Sequence, residues 1–123
     1  MYNADHICNE LGLPLFVKPT GSGSSYGISK VYKSDKLDKA IEFAFSEGEQ
    51  IILESFLEGR ELTCAVFREN DKIRALPITE IISENDFFDY EAKYLGKSKE
   101  ITPARISEIQ KENVSKAALH LYT

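Results

Sequence analysis

Cysteine is scarce in this sequence. Its two cysteines, Cys8 and Cys64, stand far apart, with no C-x-x-C pair to begin a zinc site and too few thiols for a disulfide framework. A reducing cytoplasm suits that usage. No apolar run comes near the roughly 18 residues that span a bilayer. The first residues, Met1 to His6, lack the basic start and apolar stretch of a signal peptide. Positive charge is also short, with 15 Lys and Arg against 20 Asp and Glu. The resulting net charge of −5 argues against a general nucleic-acid binder, while leaving room for a local basic pocket. Repeats, low-complexity tracts and linkers are absent, and 123 residues make one domain's worth of chain.

What is there gathers between Pro14 and Val31. Leu15-Phe16-Val17 and Ile28-Ser29-Lys30-Val31 are strand-like. Between them, Gly21, Gly23 and Gly27 are expected to take φ > 0 and bring the backbone close to a ligand. Ser22, Ser24 and Ser25 add hydroxyl donors. Successive N–H groups in such a loop form an anion-binding concavity, and Lys18 sets a full positive charge at its edge. A P-loop would end in Gly-Lys-Ser/Thr and open a helix, whereas Tyr26-Gly27-Ile28 leads into a strand. The spacing Gly21-x-Gly23-x-x-x-Gly27 also misses the dinucleotide fingerprint. Two readings stay open: a glycine-rich hairpin over nucleotide phosphates, and a ligand-free tip built from the same turn residues.

Around this hairpin the periodicities predict an α+β fold. Residues 1–13 read as the end of a helix, with Ile7, Cys8 and Leu11 three or four apart and Gly12 as its cap. Ser34 is the expected N-cap of a helix that carries Leu37, Ala40, Ile41, Ala44 and Phe45 on one face, and Gly48 stops it. Gln50 to Glu54 reads as a buried strand. Arg60 to Arg68 reads as another, returning through Glu69-Asn70-Asp71 into Lys72 to Ser83, where Pro77 marks an edge or a bend. Glu84 to Pro103 is polar and aromatic with weak periodicity, the pattern of a functional loop. Ser107-x-x-Gln110 is a capping box opening a helix with Val114, Ala117, Ala118 and Leu121 on one face. No cap is visible before Thr123, as a fragment would read. The expected architecture is an antiparallel sheet with helices packed on one face.

Three motifs resemble the D-alanine–D-alanine ligase family of the ATP-grasp superfamily. Phe16-Val17-Lys18-Pro19 with Gly23-Ser24-Ser25-Tyr26-Gly27-Ile28-Ser29-Lys30-Val31 is similar to that family's phosphate hairpin. Ile52-Leu53-Glu54-Ser55-Phe56-Leu57-Glu58-Gly59-Arg60-Glu61-Leu62-Thr63 resembles its adenine-binding segment, and Phe87-Phe88-Asp89-Tyr90-Glu91-Ala92-Lys93-Tyr94 its third motif. Pro103-Ala104 follows as the family's P-A pair. The resemblance runs from about Leu13 to the end. It implies one ATP-grasp small (central) subdomain over residues 1–123, part of a larger ligase.

Roles follow only where residues match. The resemblance implies that Lys18 contacts the nucleotide phosphates and that Ser24 and Ser25 sit in a flap over the triphosphate. It implies that Glu54, with backbone groups around Ser55 and Leu57, binds adenine packed near Phe56, and that Glu61 takes the ribose hydroxyls. Lys93 would be the second phosphate lysine, and Tyr94 would lie on a loop over the dipeptide site; Lys93, Tyr94 and Ser24 carry the catalytic expectation. Two lysines beside a triphosphate suit charge stabilisation in phosphoryl transfer, and Leu53, Phe56 and Leu57 suit an apolar base slot. Taken singly, Glu54 and Glu61 also read as solvated strand-end charges, Lys93 as a surface lysine, and Tyr94 and Phe88 as packed aromatics. Ser55 stands where some members carry lysine, and Thr20-Gly21-Ser22-Gly23 is richer in glycine than usual.

The family's magnesium site needs a strand carboxylate and a Glu-x-Asn pair. No Glu-x-Asn occurs, so magnesium ligands are expected outside this chain. The implied reaction is ATP-driven joining of two D-alanines through an acylphosphate, for peptidoglycan synthesis. Its expected setting is a cytoplasmic, homodimeric parent with no nucleic-acid or membrane partner. A phenylalanine at the position of Tyr94 accompanies D-lactate in that family, so Tyr94 implies a dipeptide product. The rivals are an ATP-grasp carboxylate–amine ligase of another substrate, against which Tyr90-Glu91-Ala92-Lys93-Tyr94 weighs, and a non-catalytic nucleotide-binding module.

Overall fold

The computed structural model describes residues 2–84, 94–96 and 98–123. They divide into two compact units, residues up to 58 with 94–95, and residues 59–84 with 96 and 98–123.

The first unit opens with α1 (Ala4–Leu11). Its N-cap is Asn3, whose side chain accepts the His6 N–H at 3.1 Å, which satisfies one of the donors a helix start leaves free. Gly12 closes it with φ +78° and an N–H bond to Cys8 O. Strand β1 (Leu15–Pro19) is flanked antiparallel by β2 (Ser29–Val31) and β3 (Ile51–Ser55). It buries Leu15, Val17 and Pro19 and turns Phe16 and Lys18 to the other face, as a period of two requires. Helix α2 (Leu37–Ser46) covers the first face with Leu37, Ala40, Ile41 and Ala44, and Cys8 and Val31 complete the core. Leu15 and Leu37 are wholly buried, each contributing about 1.5–3 kcal/mol.

Three expectations need correction in this unit. Ser34 does not cap α2: it begins a 3-10 turn (Ser34–Lys36), and the helix starts at Leu37 with no side-chain cap. The helix ends at Ser46 with Glu47 as its cap, directly before Gly48 as expected. Phe45 is exposed, and β3 is half-exposed instead of buried, because among the described residues it has a sheet neighbour on one side only.

The second unit holds β4 (Glu61–Thr63), β5 (Val66–Glu69), β6 (Lys72–Ala75), β7 (Thr79–Ser83), β8 (Ser98–Ile101) and α3 (Glu108–Tyr122). Strands β4, β7 and β8 form one antiparallel sheet in the order β4-β7-β8, and β5 and β6 form a hairpin. The two long strands expected from the sequence therefore each break in two. The break in the second falls at Leu76-Pro77-Ile78, where proline has no N–H for the ladder; Leu76 N–H still reaches Ala65 O at 2.8 Å. Strand β8 lies inside the stretch expected to be loop. Its sequence, Ser98-Lys99-Glu100-Ile101, shows little hydrophobic alternation, and among the described residues it pairs only with β7.

Helix α3 has the expected capping box between Ser107 and Gln110. Its half-buried residues are Val114, Ser115, Ala118 and Leu119, while Ala117 and Leu121 are exposed, so the packed face is rotated from the expected one. Thr123 caps its end, with N–H to Leu119 O and hydroxyl to His120 O. Among the described residues of this unit only Ile78 and Glu80 are fully buried. No helix among the described residues is long and apolar enough to cross a membrane.

Candidate functional site

The open face of the first unit's sheet, opposite α2, collects the candidate residues. Register decides which. Phe16 stands opposite Glu54 on β3 and Lys30 on β2, and Lys18 stands opposite Ile52. Residues directly opposite share a face in a pleated sheet, so Phe16, Lys18, Lys30, Ile52 and Glu54 all belong to this surface. Lys18 Nζ makes an ion pair with Glu54 Oε2 across the strands. Both side chains are about a third or more exposed, so the pair adds under about 1 kcal/mol of stability. The rings of Phe16 and Phe56 lie 6.3 Å apart at 39°. Lys30 Nζ sits 4.1 Å from the Phe56 ring centre, 5.2 Å from Tyr32 and 5.9 Å from Phe16. Sequence reasoning gave Lys30 no role; its place in alternation with buried Val31 was the available signal.

The loop between β1 and β2 is anchored at its start by Thr20, whose N–H reaches Gln50 O at 2.9 Å. Of the three glycines expected to take positive φ, only Gly27 does, at +79°. Two serines do so instead, Ser24 at +59° and Ser25 at +61°, a left-handed conformation that costs an L-residue about 1–2 kcal/mol. Gly27 is buried against Pro19 and Glu47, which explains glycine there better than loop flexibility does. Ser24 Oγ and Tyr94 Oη are hydrogen-bonded at 2.8 Å although 70 positions separate them in sequence. The flap serine and the end of the third motif thus meet.

The remaining candidates are placed as follows. Ser55 turns its hydroxyl to the α1 end, donating to Leu11 O at 2.8 Å, on the face away from Glu54. The Phe56 N–H donates to Pro14 O at 3.3 Å, and Leu57 is 86% exposed. Glu61 opens β4 in the second unit, exposed and paired with Ile81. Lys93 lies outside the described residues, as does most of the third motif. Among the described residues no three of His, Cys, Asp and Glu stand close enough together to hold a metal ion. They do not fit magnesium, and no chemistry here runs through it.

The second unit holds a polar cluster that sequence reasoning missed. Glu80 is buried on β7 and takes Arg105 in a two-pronged bond, Nε to Oε2 at 2.9 Å and Nη2 to Oε1 at 3.2 Å. The Arg105 N–H adds a third contact at 3.4 Å, and Arg60 Nη1 lies 3.9 Å from Oε1. The hydrogen bonds from Arg105 hold the Glu80 carboxyl below its ordinary range against the opposing effect of burial, and the Glu80 carboxylate raises Arg105 in return. Arg60 also donates to Arg105 O. The cluster ties β7 to the segment leading into α3.

A strand lysine beside a glycine- and serine-rich hairpin, on an antiparallel sheet covered by a helix on its other face, is an arrangement of the ATP-grasp fold. Residues 2–123 match the family described as "D-ala D-ala ligase C-terminus", and the chain belongs to that family. The D-alanine–D-alanine ligases of Flavobacterium psychrophilum and Flavobacterium johnsoniae are each 53% identical to it over 120 residues, 98% of this chain. The chain spans only 37% of the length of these relatives. Among solved structures, the VanG D-Ala:D-Ser ligase from Enterococcus faecalis superposes with a TM-score of 0.78 at 37% identity, over 96% of this chain and 34% of that one. The D-alanyl-alanine synthetase A from Vibrio cholerae gives 0.75 at 31%, over 97% of this chain and 37% of that one.

Proposed function

We propose that this chain carries nucleotide-binding residues of a D-alanine–D-alanine ligase, as one ATP-grasp subdomain of a larger cytoplasmic and homodimeric enzyme. In that enzyme the carboxylate of one D-alanine takes the γ-phosphoryl group of ATP. The amine of a second D-alanine attacks the acylphosphate, and phosphate leaves as the peptide bond forms. Lys18 and Lys93 hold the phosphates and offset charge that grows on them during transfer. Ser24 and Ser25 cover the triphosphate, with Tyr94 fastening the flap from the side of the amino-acid substrates. Phe16, Phe56 and Ile52 make an apolar bed for adenine, Glu54 accepts from its amino group, and Glu61 binds the ribose. The hydrogen bond between Ser24 and Tyr94 carries the reading, since it joins a flap residue to the motif assigned to the substrates. The relatives at 53% identity are named D-alanine–D-alanine ligases, which supports D-alanine as the second substrate.

The reading is tested in two experiments. In a full-length ligase carrying this sequence, Lys18→Ala and Lys93→Ala should each lower turnover about 100-fold or more while leaving thermal unfolding unchanged. Wild-type turnover in either variant refutes that lysine's role. The 123-residue chain by itself, given ATP, D-alanine and magnesium, should release no ADP that depends on D-alanine. Steady release would show that these residues suffice for the reaction.

A further inference from the structure

On the open face of the first unit both lysines are already engaged. Lys18 lies against Glu54, and Lys30 lies against aromatic rings. The three rings around Lys30 do not share it evenly, for its ammonium is 4.1 Å from the centre of Phe56 and over 5 Å from Tyr32 and Phe16. All three distances fall within the roughly 6 Å over which a ring's negative face attracts a cation, and Phe56 is the nearest of the three rings. Phe56 is also the ring assigned above to the adenine. A purine stacks on the same face that an ammonium prefers, and one side of one ring cannot hold both.

We infer that Lys30 is an internal competitor for the base: its ammonium occupies the Phe56 face in the nucleotide-free protein, and a purine stacks there only by displacing it. The inference rests on the nucleotide reading above for the identity of the ligand. Its physical content is selective. A ligand that needs the ring must break the cation–π contact, whereas one that needs only Lys18 and the flap does not. Lys30 thereby lowers affinity for the base without lowering affinity for phosphates. It also covers part of a ring that remains 38% exposed.

The test titrates ADP and, separately, inorganic tripolyphosphate into a full-length ligase carrying this sequence, followed by amide chemical shifts, in the wild type, Lys30→Met and Lys30→Arg. Lys30→Met keeps the stem and removes the charge; it should bind ADP about fivefold more tightly, the equivalent of one cation–π contact. Its tripolyphosphate affinity should stay at the wild-type value. Lys30→Arg keeps a cation over the ring and should behave as wild type. In the wild type, the Lys30 side-chain CH2 signals should be shifted upfield by the rings and should move toward ordinary values as ADP saturates. Unchanged ADP affinity in Lys30→Met overturns the inference and leaves the nucleotide reading standing. Weakening of ADP and tripolyphosphate together overturns it in favour of Lys30 as a phosphate ligand. Failure of both wild type and Lys30→Met to bind ADP refutes the nucleotide reading itself, and the inference with it.

Discussion

Replacing Gly27 by alanine tests the reason given for that glycine. At φ +79° an L-side chain costs about 1–2 kcal/mol. A methyl group there would also lie 3.0 Å from Pro19 Cγ and 2.9 Å from Glu47 Cγ, closer than side chains approach. Pro19 is buried in β1 and cannot yield, while Glu47 can swing aside, so crowding adds about 1–2 kcal/mol. Alanine restricts the unfolded chain and returns about 0.4–1 kcal/mol. The net loss is about 2–3 kcal/mol, a fall in melting temperature on the order of 10 °C for a chain of this size. Gly23→Ala is the control, because nothing lies within 4 Å of its added methyl and its φ is not left-handed; it should change stability by under about 0.5 kcal/mol. Urea unfolding followed by far-ultraviolet circular dichroism measures both. Combining Gly27→Ala with Glu47→Ala removes the Cγ contact and should recover part of the loss, leaving the backbone, the Pro19 contact and the residue-47 Cβ contact at 3.1 Å. Equal stability of Gly27→Ala and Gly23→Ala would refute the account and return Gly27 to the role of a flexible loop residue.

Three other outcomes are expected. Glu80 has a folded-state pKa below its unfolded value, so its stabilisation is complete above the ordinary carboxylate range and is lost as pH falls through the depressed pKa. Glu80→Gln should therefore be less stable near neutrality and should lose less stability than wild type on acidification from about pH 5; parallel pH profiles would contradict this. Hydrogen exchange should be slowest in β1 and α2, around the eight-residue buried cluster, and faster in the second unit, where Ile78 is the fully buried apolar residue among those described. Uniform protection would dispute that contrast. Tyr94→Phe removes the bond to Ser24, worth about 0.5–1.5 kcal/mol. Offered D-alanine and D-lactate together, the full-length enzyme should form the dipeptide, and Tyr94→Phe should raise the share of depsipeptide. Predominant depsipeptide from the unmodified enzyme would refute the role given to the tyrosine hydroxyl.

The sequence by itself determined most of what is local. The apolar run Leu15 to Val17, the apolar spacing from Leu37 to Ala44 and the capping box at Ser107 each encode their element through neighbours a few positions away. The family was legible for a related reason, since its motifs are continuous runs. What tertiary structure decided lies in contacts between distant positions. Ser98 to Ile101 becomes a strand because β7 offers it a free edge, which no pattern within four polar-rich residues could announce. The face of α3 is set by what its unit places beneath it, so Ser115 packs while Leu121 stays in solvent. The left-handed turn fell to Ser24 and Ser25 because the loop is pinned at Thr20 and at buried Gly27 and must close the distance between them. Lys18 and Glu54 answer each other, and Lys30 reaches Phe56, only because strand register puts three separate segments on one face. Residue chemistry nominated the candidates one at a time. Register determined which of them meet.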